Sequence, residues 1–382
     1  MLIPYAKQSI DNNDIKNVTK ALKSEFITQG KITEKFEKKI SEYVNSKYAC
    51  VVNSATSGLY LACKILNLKK NDWVWTSSNT FVSTASIIEH ANGNVDLLDI
   101  NDDGNLSIDY LKKKLRQTKK ANLPKAIIAV HIAGLPCDMK ELYKLKKKYK
   151  FKIIEDASHA LGASIENKKI GSCNYSDFCV FSFHAIKSIT TGEGGCITTN
   201  NKKDYSRLCQ LRSHGIVRKK KLLNKKSLSK YHWYYEVNEI GFNFRLTDFQ
   251  SALGISQIKK LNKFINLRTK IANNYLKKID KKKYILPKVY SSKKSAWHLF
   301  VIKSKNKIKR PKLYNYLKKK GIVSVLHYIP IFKHPYYEKK IKNQNSFINS
   351  NIYFEEALSI PIFPNLSKKK QDYIIKILNN YK

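Results

Sequence analysis

Acidic residues are scarce in this chain: 29 Asp and Glu stand against 72 Lys and Arg, a formal net charge of +43 over 382 residues. Uninterrupted apolar runs are scarcer still. No window approaches the roughly 18 apolar residues that a membrane-spanning helix needs, and Met1-Leu2-Ile3-Pro4-Tyr5-Ala6-Lys7 lacks the apolar core of a secretory signal. The expectation is therefore a cytoplasmic protein with no membrane partner. The seven cysteines (Cys50, Cys63, Cys137, Cys173, Cys179, Cys196 and Cys209) are widely spread and contain no C-x-x-C pair. Such spacing supports neither a zinc site nor a disulfide framework, and leaves them as small core residues. Repeats at solenoid spacing and Pro/Gly/Ser-rich linkers are also missing. What remains is a globular chain whose 42% hydrophobic residues suffice for a sizeable core, at a length that fits a two-domain enzyme.

The positive charge points in principle to nucleic acid, an anionic membrane surface or an anionic substrate. Lysine supplies 65 of the 72 basic residues, in company with abundant Asn, Ile and Tyr, the bias expected of A+T-rich coding. The runs Lys112–Lys114, Lys146–Lys148, Lys219–Lys221 and Lys368–Lys370 are scattered and carry no interleaved aromatics. They read as solvated faces, without a nucleic-acid partner. The field they create would still draw in a phosphorylated substrate.

Short β-branched runs alternate with segments of helical period. Tyr48–Val52 precedes Leu59–Leu66, Trp73–Thr76 precedes Val82–Ala91, and Val95–Ile100 precedes Ile108–Leu115. Ala126–His131, Lys152–Asp156, Phe178–Ser182 and Cys196–Thr199 read as further strands, with Met139–Tyr149 as a helix. This alternation predicts an α/β fold with a mostly parallel sheet covered on both faces. A long helix is expected over Thr247–Leu276. After it, a strand at Leu299–Ile302, a helix at Pro311–Lys319, a strand at Ile322–Leu326 and terminal helices predict a smaller α+β unit. The predicted division is a large domain over 1–255 and a small one over 256–382.

In an open parallel sheet, ligands collect at the carboxyl ends of the strands. Four such ends are rich in chemistry. Asn53-Ser54-Ala55-Thr56-Ser57-Gly58 opens a helix with small residues, suited to an anion or to an ordinary N-cap. Glu155-Asp156-Ala157-Ser158-His159 places a carboxylate after a buried strand, where it needs a partner. Phe181-Ser182-Phe183-His184-Ala185-Ile186-Lys187 offers a hydroxyl, an imidazole and an amine before the glycine turn at Gly192-Glu193-Gly194-Gly195. Ser78-Asn79-Thr80-Phe81 adds an aromatic ring. One chemistry uses a phosphate cradle, a carboxylate, a lysine amine and a ring face together, and that is pyridoxal phosphate catalysis.

These four segments, with Gly241-Phe242-Asn243-Phe244-Arg245-Leu246-Thr247-Asp248, resemble the DegT/DnrJ family of sugar-nucleotide aminotransferases over nearly the whole chain. The resemblance implies the fold type I of pyridoxal-phosphate transferases, like that of aspartate aminotransferase. It implies Lys187 as the Schiff-base lysine and Asp156 as partner of the pyridine nitrogen, with His159 meeting the ring and Phe81 stacking on it. Ala55, Thr56 and Ser182 would hold the phosphate, helped by Asn243 of a neighbouring subunit in a homodimer with shared sites. Tyr5, Glu25, Phe26, Ile27 and Thr28, and Val325, Leu326, His327 and Tyr328, match positions lining the sugar-nucleotide site. Within the family, Ile27-Thr28-Gln29-Gly30, Arg212-Ser213-His214-Gly215, Leu253-Gly254-Ile255-Ser256-Gln257 and Leu326-His327-Tyr328 resemble the pseudaminic acid branch. That branch aminates a UDP-linked 4-keto amino sugar from L-glutamate.

Two other functions compete. An aminotransferase for another 4-keto sugar, a UDP-pentose or a TDP- or GDP-hexose, would carry the same cofactor motifs. A basic nucleic-acid-binding protein would leave those motifs idle. His214, His298 and His334 show no metal-ligand spacing, so no metal is expected. His131, at the end of a strand, reads equally as a core histidine or a substrate contact.

Overall fold

The computed structural model describes residues 2–218, 220–305 and 310–381, so Lys219 of the Lys219–Lys221 run lies outside the described residues. Seven strands form the main sheet: Tyr48–Val52 (β1), Trp73–Ser77 (β2), Asn94–Leu98 (β3), Pro124–Val130 (β4), Lys152–Asp156 (β5), Phe178–Ser182 (β6) and Gly195–Thr199 (β7). Their order is β1-β7-β6-β5-β4-β2-β3. Parallel pairing joins β2 to β3 and β4, β4 to β5, and β5 to β6. β7 is antiparallel to both of its neighbours. The reason lies in the connection: a parallel return needs a crossover, usually helical, and residues 183–194 between β6 and β7 form a loop with no helix.

Both faces of the sheet are apolar, because successive strand residues enter opposite cores. Ile127, Ile153 and Phe181 pack on one side with Phe36 and Leu261, while their neighbours Ile128, Ile154 and Val180 pack on the other with Leu59 and Leu208. The covering helices are Asn12–Leu22 (α1), Lys31–Val44 (α2), Ala55–Ile65 (α3), Val82–His90 (α4), Ile108–Gln117 (α5), Met139–Tyr149 (α6) and Lys202–Leu211 (α7). The mostly parallel α/β sheet that the alternation predicts is therefore present.

A 31-residue helix follows, Asp248–Lys278 (α8), started by a capping box between Thr247 and Gln250. Its Ile258, Leu261 and Ile265 belong to the first core, while Ile271, Ala272 and Tyr275 belong to a second one. That second core lies under an antiparallel sheet of Tyr284–Ile285 (β8), Phe300–Ser304 (β9) and Ala357–Ile360 (β10), ordered β8-β9-β10. Helices Arg310–Lys319 (α9), Ile348–Glu356 (α10) and Lys368–Asn379 (α11) accompany it. Ile3, from the far end of the sequence, is buried in the same core.

One predicted strand is absent. Ile322–Leu326 makes only isolated bridges, Ile322 with Ile3 and Val325 with Ser359. The two partners lie on different segments and in opposite directions, so no ladder can propagate. The third strand of the small sheet, β10, has no turn residue before it and had no sequence signal. Among the described residues, no helix is long and apolar enough to cross a membrane.

Edge strand β1 carries the turn that opens the functional site, and a buried ion pair fixes it. Arg212 Nη1 donates to Glu37 Oε1 at 2.5 Å and to the Val51 carbonyl at 2.8 Å, while Val51 N donates to Glu37 Oε1 at 3.0 Å. Removing one partner strands the other as a buried charge. Glu37→Ala is predicted to lower the unfolding free energy by about 3–5 kcal/mol in a urea titration. A loss below about 1 kcal/mol would contradict the clamp.

Candidate active site

The carboxyl ends of β1, β2, β4, β5 and β6 open into one cavity of about 380 Å³, a size that suits a small cofactor or ligand. Ala55, Thr56, Phe81, Asp156, His159, Ser182 and Lys187 all line it, and Tyr5, His327 and Tyr328 close it from the other side. Ten of the residues singled out in the sequence therefore meet in one place.

Asp156 ends β5 and is buried. Thr84 Oγ1, in the first turn of α4, donates to Asp156 Oδ2 at 2.7 Å. Ser158 donates to Oδ1 twice, from N at 3.1 Å and from Oγ at 2.6 Å. Both carboxylate oxygens are thus held, so the group keeps one orientation and a negative charge can persist there.

Lys187 reaches the cavity from the turn after β6. Phe183 N donates to the Gly194 carbonyl at 2.8 Å and Thr191 N returns a bond to the Phe183 carbonyl at 2.9 Å, closing the loop on itself. Lys187 N bonds the His184 carbonyl at 3.0 Å. Burial pushes the Lys187 amine down to about 8, against the opposing pull of the Asp156 carboxylate. An amine with that value is available as a nucleophile near neutral pH.

The cradle forms where β1 turns into α3. Ser54 caps the helix by accepting from Ser57 N at 3.1 Å. Ala55 and Thr56 open the helix, so their N–H groups have no acceptor within it and face an anion at the positive end. β7 runs close beneath this turn: a Cβ on Gly195 would stand 2.7 Å from Ala55 N. Only glycine allows that approach.

Histidines roof the cavity. The His159 ring lies 4.4 Å from that of His298, and Tyr328 OH sits 3.0 Å from His159 Nε2. Burial, then the nearby Lys187 charge, holds His159 well below its ordinary value, and burial pushes His327 down to about 3. Burial likewise pushes the Tyr328 hydroxyl up. All three are neutral at pH 7. His159 Nδ1 and His298 Nδ1 are buried without a partner among the described residues. Phe81, by contrast, is 54% exposed.

The remaining sequence candidates lie outside this cavity. Val325 pairs with Ser359 and Leu326 packs with Ile100 and Tyr353. Glu25, Phe26, Ile27, Thr28 and Asn243 are exposed. Asp248 holds their two loops side by side, accepting from Gly30 N at 2.6 Å and Thr33 N at 2.9 Å while Asp248 N donates to the Ile27 carbonyl at 2.9 Å. His131 is a core histidine: Nε2 meets Glu155 Oε2 at 2.8 Å and Nδ1 accepts from Cys137 N at 3.0 Å. Among the described residues no cluster of potential metal ligands exists.

Sequence reasoning missed Thr84, Ser158 and His298 as site residues. Ser158 had a local signal, a hydroxyl two residues after a strand-end aspartate, as in an Asx turn. Thr84 and His298 reach the site through tertiary contacts and had none.

The chain is similar to known proteins over nearly its whole length. Residues 8–379 match the model of the DegT/DnrJ/EryC1/StrS aminotransferase family. A UDP-4-amino-4,6-dideoxy-N-acetyl-beta-L-altrosamine transaminase of Campylobacter jejuni is 38% identical over 376 residues, 98% of this chain and 96% of that one. Helicobacter pylori PseC, an aminotransferase involved in the biosynthesis of pseudoaminic acid, superposes with a TM-score of 0.90 at 30% identity, covering 99% of this chain and 98% of that one. Spr1654 of Streptococcus pneumoniae, a candidate sugar aminotransferase solved in its PLP form, superposes with a TM-score of 0.89 at 25% identity, covering 99% and 98%. With the large parallel sheet and the smaller unit, this is the fold type I of pyridoxal-phosphate transferases. The chain belongs to the DegT/DnrJ/EryC1/StrS aminotransferase family and is a sugar aminotransferase.

Proposed function

We propose that the chain transfers the amino group of L-glutamate to C4 of UDP-2-acetamido-2,6-dideoxy-β-L-arabino-hex-4-ulose, with pyridoxal 5′-phosphate as cofactor. The observation that carries the reading is the convergence of Lys187, Asp156 and the α3 N-terminus in one cavity. The cavity's chemistry fits the cofactor: a donor pair for a phosphate, an exposed ring at Phe81, a fixed carboxylate and a neutralisable amine. When bound, pyridoxal phosphate supplies an aldehyde for covalent attachment and a ring that accepts electrons.

The chain's own residues then have distinct tasks. Ala55 and Thr56 N–H groups and the Ser182 hydroxyl hold the phosphate. Asp156, fixed by Thr84 and Ser158, keeps a proton on the pyridine nitrogen by charge. Lys187 Nζ holds the cofactor at rest. Freed by the incoming amine, it takes the proton from Cα of glutamate, and in the second half-reaction it delivers one to C4 of the sugar. His159, His327 and Tyr328, all neutral, shield the reacting atoms from water without adding charge that would compete with Asp156.

Part of the site faces outward. Glu25–Thr28 and Asn243 are exposed, and Phe26, Ile27, Ile240 and Phe242 are exposed apolar residues in or beside these two segments. This patch suits a second copy of the chain, whose Asn243 would reach the phosphate in a homodimer with shared sites.

The substrate assignment is tested by supplying the holoenzyme with L-glutamate and a panel of 4-keto sugars linked to UDP, TDP or GDP. Release of 2-oxoglutarate is predicted with the UDP-4-keto-6-deoxy-N-acetylhexosamine. Turnover confined to a UDP-pentose or a TDP- or GDP-hexose would transfer the chain to another branch. Asp156→Asn removes a charged partner worth about 1.5–3 kcal/mol, so turnover should fall about 10- to 100-fold while cofactor affinity falls far less. Equal losses in both, measured by titration and direct assay, would contradict its role.

The lowered Lys187 value gives a pH prediction. Below about 8 the amine is protonated and cannot attack an aldehyde; above it the free base accumulates. The rate at which apoprotein captures pyridoxal phosphate should therefore rise through pH 8 and level off. A midpoint near that of free lysine, about 10.4, would contradict the burial argument.

A further inference from the structure

Of the seven cysteines six are buried, and only Cys209 of α7 is partly exposed. It lines a surface cleft of about 390 Å³ with Tyr205, Gln210, Ser213, Arg218 and Arg245, and no carboxylate is among the lining residues. The cleft leads a small molecule to this thiol.

Behind it stands Cys50 of β1, brought there by the register of strand on helix. The Tyr48 and Tyr205 rings stack at 4.8 Å. From that contact Cys50 lies two residues on along β1, and Cys209 four on along α7. Both steps keep a side chain on the same face and advance it by a similar length, about 6.6 Å on a strand and about 6 Å on a helix. Past them, Arg212 Nη1 donates to the Val51 carbonyl at 2.8 Å. Contacts on either side thus bracket the two cysteines, and Cys209 packs on the apolar cluster that contains Cys50.

Their surroundings divide the pair. A hydrogen bond from the Cys50 thiol to the Cys209 sulfur holds Cys209 below its ordinary value, with help from the Arg212 guanidinium and the Tyr205 hydroxyl, against burial and the Glu37 charge. The same bond, with burial, pushes the Cys50 thiol well above its ordinary value. The opposing carboxylate, Glu37, is already paired with Arg212, whose Nε–H is buried with no acceptor among the described residues. An accessible sulfur with thiolate character therefore has a protonated thiol at its back, as in a redox-active pair. Burial raises the thiols of Cys63, Cys173, Cys179 and Cys196, which keeps them unreactive.

We propose that Cys209 and Cys50 form a thiol modification site, which hydrogen peroxide closes into a reversible disulfide between α7 and β1. The Cys209 sulfur attacks one peroxide oxygen, the O–O bond breaks, and the hydroxide released takes up the proton that Cys209 gave away, leaving as water. Cys209 is then a sulfenic acid, oxidised by the two electrons that the peroxide gained. The Cys50 sulfur attacks it, the S–S bond forms as the S–O bond breaks, and hydroxide leaves with the Cys50 proton as a second water. The cross-link joins the strand that ends at the phosphate cradle to the helix whose neighbour Ser213 bridges to Asn243. No cysteine lines the catalytic cavity, so the site does not rest on the substrate assigned above.

The holoenzyme is tested by exposure to hydrogen peroxide, blocking of free thiols with N-ethylmaleimide in urea, and peptide mapping by mass spectrometry with and without dithiothreitol. A Cys50–Cys209 peptide pair that disappears on reduction is predicted, with the other five cysteines recovered as blocked thiols. Before oxidation, iodoacetamide should modify Cys209 in the native protein at least about tenfold faster than any other cysteine. In Cys50→Ser the sulfenic acid has no partner, so dimedone should label Cys209 far more than in the parent. Recovery of both residues as free thiols after peroxide, a disulfide from Cys209 to any other cysteine or to a second chain, or another cysteine outpacing Cys209 would overturn the proposal. The parent protein decides these outcomes by itself, whatever the stability of Cys50→Ser.

Discussion

A carboxylate at the end of a buried strand governs the architecture of this site. Asp156 lies between parallel neighbours β4 and β6, where solvent cannot compensate its charge. Such a group is tolerated only if donors are brought to it. The fold brings Thr84 from the first turn of α4 and Ser158 from the residues just past β5, and sets the Lys187 amine in the same cavity. Each donor fixes an element: α4 is anchored at its positive end, the β5 exit is turned back, and the loop after β6 must return by the glycine turn into β7. The antiparallel β7 is thus part of the same arrangement, since a crossover there would carry Lys187 away.

The second unit completes the enclosure, and α8 sets where it stands. The helix leaves one core and enters the other between Ile265 and Ile271. In that interval Arg268 is fully buried, and its Nη1 donates to the carbonyls of Trp297 and His298, each at 3.3 Å, and of Ile362 at 2.9 Å. A guanidinium can satisfy several carbonyls from one position. It therefore pins the segment that presents His298 to the catalytic cavity. Enclosure by neutral rings raises the cost of charge, which is why burial lowers the Lys187 amine.

Much of this was legible in the sequence because it is local. Strand ends, an N-cap, a carboxylate after an apolar run and a lysine before a glycine turn are each signalled by neighbouring residues, and seven residues of those segments share the cavity, while Tyr5, His327 and Tyr328 came from resemblance. Thr84 was illegible because its partner lies 72 residues away, and Tyr328 reaches His159 across 169. Ile322–Leu326 reads as a strand by composition, yet its two bridges go to different segments, which composition cannot report. Glu25–Thr28 and Asn243 came from resemblance alone, and a single chain leaves them on its surface.

The central claim is that Lys187 is the residue that holds the cofactor. Borohydride reduction of the pyridoxal-phosphate-loaded protein, followed by proteolysis and mass spectrometry, reads this directly, because reduction makes the bond between lysine and cofactor permanent. The added mass is predicted on the peptide bearing Lys187 and on none of the other 64 lysines. An unmodified Lys187 peptide, with the cofactor retained elsewhere or not at all, would contradict the account.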